Sequence, residues 1–123
     1  MGEFDHEKMD VYRRALDFIR TASSIRDTLL GGRAALADQL DRAAVSIALN
    51  VAEGAGEFAR REKARFYRIA RRSATECAAI LDVALELHLA EKECVASGKN
   101  QLQEIVGNLI GLGKKMESEA SRQ

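Results

Sequence analysis

The chain has no proline and no tryptophan, and only 5% of its residues are aromatic. Without proline, glycine is left as the strong helix breaker; without large aromatic anchors the core has to be aliphatic and rich in alanine. Nineteen basic residues balance nineteen acidic ones for a formal charge of zero. The molecule is therefore not drawn to nucleic acid by its net charge, and any polyanion binding must come from a local patch. The two cysteines, Cys77 and Cys94, lack CxxC spacing, so buried or free reduced thiols are expected in place of a disulfide or zinc site. His6 and His88 stand far apart with no ligand spacing to a cysteine or carboxylate cluster, which leaves a metal or other cofactor without support. No apolar run reaches the ~18 residues of a membrane span, and Glu3, Asp5, Glu7 and Lys8 stand where a signal peptide would be hydrophobic. A cytoplasmic protein with no membrane partner is expected.

What the chain does have is abundant alanine, leucine, glutamate, lysine and arginine across 123 residues, the strong helix formers in one domain's length. No window alternates with period two. The fold class expected is all-α, an antiparallel up-and-down four-helix bundle over residues 1–123 with a disordered tail from about residue 118.

The organising stretch is Gln39 to Gly54, QLDRAAVSIALNVAEG. At about 100° per residue, Leu36, Leu40, Ala43, Ile47 and Val51 fall on one side, an ordinary core face. Ala37, Ala44, Val45, Ala48 and Ala52 widen the apolar surface and Leu49 extends it further round. A helix apolar over most of its circumference wants burial on several sides, so Val45, Ala48, Leu49 and Ala52 are candidate oligomer contacts. Arg42, Ser46, Asn50 and Glu53 form a narrow polar ridge. Glu53 beside Asn50 could be an acid or base, but a structural role is favoured: Ser46 bonding to backbone, Arg42 to a carboxylate, and Asn50 to the next helix. Gly54 is expected to end this helix in the left-handed conformation.

RAAVSIALNVAEG, followed about twenty residues later by IARRSATE, resembles the bacterial four-helix-bundle proteins first noticed as products of intervening sequences in 23S ribosomal RNA genes. The resemblance runs from Val11 and Tyr12 to the last apolar heptads. Asp41, Glu57 and Arg72 depart from it, standing where basic or small residues are usual. It implies a ring-like homo-oligomer, often a pentamer, with no catalytic residues. A related accessory protein of diversity-generating retroelements binds a reverse transcriptase and nucleic acid, which implies a binding module. The resemblance also supports pairing of Arg42 with Glu76, at the level where Ser73 and Glu76 of the third helix would face the polar ridge; a buried pair there would fix register more than add stability.

The other helices follow from apolar spacing and glycine breaks. The first is expected over about Asp5–Leu29, capped by Asp5 and weakened before Ile25 by Thr21, Ser23 and Ser24, with Gly31 and Gly32 after it. Phe4 is a residue that could dock from an otherwise loose start. The third is expected over about Ala59–Leu89, and the fourth begins between Ala90 and Lys99, its start blurred by Gly98. Gly107 and Gly111 read as sites of close approach to another helix of the same or another subunit.

The densest charge feature opens the third helix. Arg60, Arg61, Lys63, Arg65, Arg68, Arg71 and Arg72 face the single acidic Glu62. Arg61, Arg65, Arg68 and Arg72 share one face, and such a row needs a counter-charge or solvent. Phosphate is an obvious counter-charge, because planar guanidinium groups bind it through paired hydrogen bonds. Tyr67 lies among them, able to stack on a base or to pack. The competing readings are a solvated row or one bridged to acidic residues such as Glu3, Glu7, Asp10 or Asp17.

No enzymatic constellation is legible. GAG between helices lacks the strand and lysine of a phosphate loop, and neither histidine sits beside a plausible nucleophile. The reading reached is a non-catalytic homo-oligomer that binds RNA or DNA through the basic row. Its alternative is a scaffold for an acidic or apolar protein partner without nucleic acid.

Overall fold

A computed structural model describes residues 3–122 of the chain. A short 3-10 turn, Asp5–Lys8, leads into α1 (Asp10–Leu29), α2 (Ala34–Gly56), α3 (Arg60–Glu86) and α4 (Lys92–Ser121). Each helix packs on the next and α4 closes onto α1, the up-and-down bundle expected from the sequence. Packing of α2 on α3 is antiparallel: Ser46 meets Ser73, and further along α2 Gly54 meets Tyr67.

The core is aliphatic, as the shortage of aromatics requires. Phe18, Leu29, Leu40, Ile47, Leu81, Leu102, Ile105 and Leu109 are fully enclosed, and Ala15, Ala37, Ala44, Ala70, Ala74 and Ala84 fill the gaps between them. The apolar seam read on α2 is the core face: Leu40, Ala43, Ile47 and Val51 are buried and Leu36 is partly so. Small side chains let helix axes approach closely, and Gly54 and Gly98 take this furthest. A Cβ on Gly54 would stand 2.7 Å from Cε1 of Tyr67, and one on Gly98 would stand 2.9 Å from Cδ1 of Leu81.

Gly54 therefore does not end α2. No described glycine has a positive φ, and α2 continues through Gly54 to Gly56. Gly98 likewise lies inside α4, well after its start at Lys92. Helix α3 stops three residues earlier than expected, because His88 adopts φ 59°. The Leu89 amide then donates to the Ala84 carbonyl at 2.9 Å and the His88 amide to the Leu85 carbonyl at 3.0 Å. These two bonds make a Schellman cap, and Leu89 lands against Gly32 of the opposite turn.

The two ends differ from expectation as well. Asp5 opens the 3-10 turn and does not cap α1, whose first residue follows Met9 with no side-chain capping bond. Phe4 remains 72% exposed and stacks on His6, whose ring meets Tyr12 edge-on. Helix α1 continues unbroken past Ile25 to Leu29. At the other end α4 runs as helix to Ser121 where a disordered tail was expected, while Gln123 lies outside the described residues. Gly107 and Gly111 are exposed, and beyond the chain neighbours and the backbone of α4 itself nothing lies within 4 Å of a Cβ built on either; they are not packing devices within the subunit.

Candidate nucleic-acid interface

The basic residues at the start of α3 do not act as one set. Helix α3 begins after Ala59, and its first turns project side chains in three directions. Lys63 points back toward α2, where its Nζ donates to the carbonyls of Ala55 at 2.9 Å and Gly54 at 3.3 Å. Both carbonyls lie in the last turn of α2, where the Gly54 carbonyl also accepts from the Glu57 amide at 3.3 Å, so Lys63 is a C-terminal cap and a charge matched to the helix dipole. Arg60 reaches α4, its Nε donating to Glu119 at 2.7 Å, and Arg68 reaches Glu117 at 3.3 Å. Arg65 bonds Glu62 one turn back at 3.1 Å and lies over the Phe66 ring, 4.6 Å from its centre.

Arg61, Arg71 and Arg72 form no ion pair among the described residues. The face read from spacing is real: Arg61, Arg65, Arg68 and Arg72 are all exposed along one side of α3. None of them pairs with Glu3, Glu7, Asp10 or Asp17, the residues named as counter-charges. Pairing with Glu62 and Glu117 is between exposed groups, where an ion pair contributes about 0–1 kcal/mol and a phosphate can displace it.

Tyr67 is not available to stack on a base. It is buried, its ring against the Gly54 backbone, and burial raises its phenol pKa. The exposed aromatic is Phe58, in the turn between α2 and α3 and 95% exposed. Sequence spacing missed it because a single phenylalanine in a short turn has no periodicity to place it; the polar neighbours Glu57 and Arg60 were the available sign.

The polar ridge is structural and neutral at its centre. Ser46 and Ser73 are joined hydroxyl to hydroxyl at 2.8 Å, linking α2 to α3. Asn50 donates to the Ser46 carbonyl at 2.9 Å and to its hydroxyl at 3.0 Å, within its own helix. Ser46 thus makes the link across helices and Asn50 the local bond, the reverse of the expected division. Arg42 does not pair with Glu76. It bonds Asp38 one turn earlier at 2.9 Å, and Glu76 is exposed on α3. A local exposed pair avoids the desolvation that a buried one would cost. Glu53 is exposed near the end of α2. Asp41, a departure from the resemblance, accepts from Arg26 of α1 at 3.0 Å and so ties α1 to α2.

Of the apolar residues proposed to meet another subunit, Ala48 is buried in the bundle and Ala52 partly so. Val45 is 41% and Leu49 59% exposed. They flank an open groove on the outside of α2, edged by Asp41, Arg42, Ser46 and Asn50.

Among the described residues no three His, Cys, Asp or Glu side chains gather as a metal site would require, and no helix is long and apolar enough to cross a membrane. The molecule is thus an all-helical bundle whose distinctive surfaces are a basic helix face and an apolar groove. Residues 7–111 match the family described as 23S rRNA-intervening sequence protein, and the chain belongs to that family. Among solved structures, it is similar to a protein with unknown function from the S23 ribosomal protein family of Bacteroides thetaiotaomicron VPI-5482. The two share 23% identity and superpose with a TM-score of 0.79 over 85% of this chain and 98% of the other. No curated protein matches the chain.

Proposed function

We propose that this protein is a non-catalytic, homo-oligomeric accessory module of the cytoplasm that binds RNA or DNA through the outer face of α3. The observation that carries this reading is the exposed arginine row, in which Arg61 and Arg72 have no ion-pair partner among the described residues, with exposed Phe58 at its N-terminal end. Guanidinium forks suit phosphate oxygens, and an exposed ring offers a stacking platform for an unpaired base. The proposed occupant of the Val45–Leu49 groove is a second copy of the chain. The two side chains are apolar and exposed, and the family resemblance implies a ring, often a pentamer. Repetition of the arginine face around such a ring would amplify weak contacts.

Reversing Arg61, Arg68 and Arg72 to glutamate should abolish retention of a single-stranded oligonucleotide at low salt while leaving the helical content intact. Loss of three phosphate contacts corresponds to a drop of about 2 in the slope of log affinity against log salt. A wild-type protein with no salt-sensitive retention of either RNA or DNA would sink the reading. The groove also favours a second reading, a scaffold for an apolar protein partner. Partners recovered from lysate unchanged after nuclease treatment, with no oligonucleotide retained, would favour it.

A further inference from the structure

Arg68 and Arg71 of α3 face Lys114 of α4 across a cleft of about 180 Å³. Glu117 lies at one side, and Tyr67 and Gly113 complete the part of the wall that matters here. Three cations therefore meet one carboxylate. Arg71 and Lys114 have no ion-pair partner among the described residues, and the Arg68–Glu117 contact is long at 3.3 Å between exposed groups. Gly113 is buried, yet beyond its chain neighbours and its own helix backbone no atom lies within 4 Å of where its Cβ would stand, and it lines the cleft. Like charges arranged around a hollow from two separate helices repel one another unless an anion joins them. The hollow is smaller than the roughly 300–1,000 Å³ of ordinary small-molecule sites, too small for a whole nucleotide and suited to a single tetrahedral oxyanion.

We infer that the α3–α4 cleft is a seat for one phosphate group, gripped by Arg68, Arg71 and Lys114 over the small wall that Gly113 provides. Glu117 is the internal stand-in, holding Arg68 until a phosphate replaces it. Tyr67 stays a neutral phenol, because burial raises its pKa, and adds no competing charge. The seat shares Arg68 with the exposed arginine row, so the group can be a phosphodiester of a bound strand or free phosphate.

Titrating the full-length protein with inorganic phosphate, and separately with a single-stranded RNA oligonucleotide, tests the seat and identifies the source. Arg71→Gln and Lys114→Gln should each weaken binding about tenfold, as expected for loss of one charge-assisted contact, and Glu117→Gln should strengthen it. Gly113→Leu fills the hollow without changing charge and should abolish seating, with its helical signal and melting curve read alongside. Phosphate binding that vanishes in Gly113→Leu supports the seat even if no oligonucleotide is retained, in which case only the nucleic-acid reading falls. Oligonucleotide binding weakened by Gly113→Leu without measurable phosphate binding supports it with the strand as source. Phosphate binding undiminished in a folded Gly113→Leu protein, oligonucleotide retention undiminished there when wild type binds no phosphate, or no binding of either to wild type, overturns it.

Discussion

Gly54 shows how one missing side chain can be worth more than a better helix former. In an open helix interior, replacing glycine by alanine contributes about 1 kcal/mol of stability. At Gly54 the added carbon would meet the buried Tyr67 ring at 2.7 and 3.0 Å and Cβ of Phe66 at 3.1 Å, and overpacking of that kind costs about 1–3 kcal/mol. The clash should win. Gly54→Ala is expected to lower the urea midpoint with an unchanged m-value, whereas Gly111→Ala, with nothing within 4 Å, should raise it. A stabilised Gly54→Ala protein would show that α2 and α3 are not so closely apposed. Cys77 gives the second prediction at this scale. Burial, reinforced by the charge of Glu76, pushes its thiol up to about 12 from an ordinary value near 9. Between those values the unfolded thiol has lost its proton and the folded one keeps it. Stability should therefore hold below pH 9 and fall above it by about 1.4 kcal/mol per pH unit, with the raised Tyr67 phenol adding to the loss at higher pH. In Cys77→Ala the thiol's share of that fall should disappear. A thiol reagent at neutral pH should modify exposed Cys94 and leave buried Cys77 untouched until the chain unfolds.

Helix ends in this molecule are finished by devices that act across elements. The Schellman turn after α3 demands a left-handed residue and receives His88 at φ 59°, a conformation that costs a side-chain-bearing residue roughly 1 kcal/mol or more. His88→Gly should raise stability by about that amount, seen as a higher melting temperature. No change would mean that the gain is offset by the greater freedom of glycine in the unfolded chain. Lys63 finishes α2 from the far side of the turn, and Lys63→Met should cost about 0.5–1 kcal/mol through loss of its bonds to the Gly54 and Ala55 carbonyls. The contrast between these ends explains which features the sequence carried. Core faces follow a period of 3.6 residues set by each helix alone, so Leu40, Ala43, Ile47 and Val51 were readable. The existence of four helices was readable for the same reason. The purpose of Gly54 depends on which residue of α3 stands opposite, and that of Lys63 on the direction of a long side chain. Neither has a local signature; one looked like a helix terminator and the other like a member of a binding row. Arg42 misled in the same way, since the nearest carboxylate was Asp38 on its own helix.

The bundle as a whole leaves its charges and its apolar surface in different places. The arginine face lies along α3, while exposed Val45 and Leu49 lie on the outside of α2. A neutral serine–serine bond links α2 to α3 beneath these surfaces, so charge substitutions on the two surfaces can be made without breaking it. If copies of the chain cover the groove, Leu49→Lys places a charge where apolar contact is needed and should dissociate the assembly in light scattering or sedimentation. The monomer should keep its helical content, because Leu49 is 59% exposed and contributes little to the subunit's own core. Dissociation should also weaken oligonucleotide retention with the arginine row untouched, since each released subunit presents a single row and loses the gain from joint engagement. Wild-type protein already monomeric at micromolar concentration would remove the assembly from this account. A dissociated Leu49→Lys protein that retains oligonucleotide as well as wild type would show that one subunit's arginines suffice.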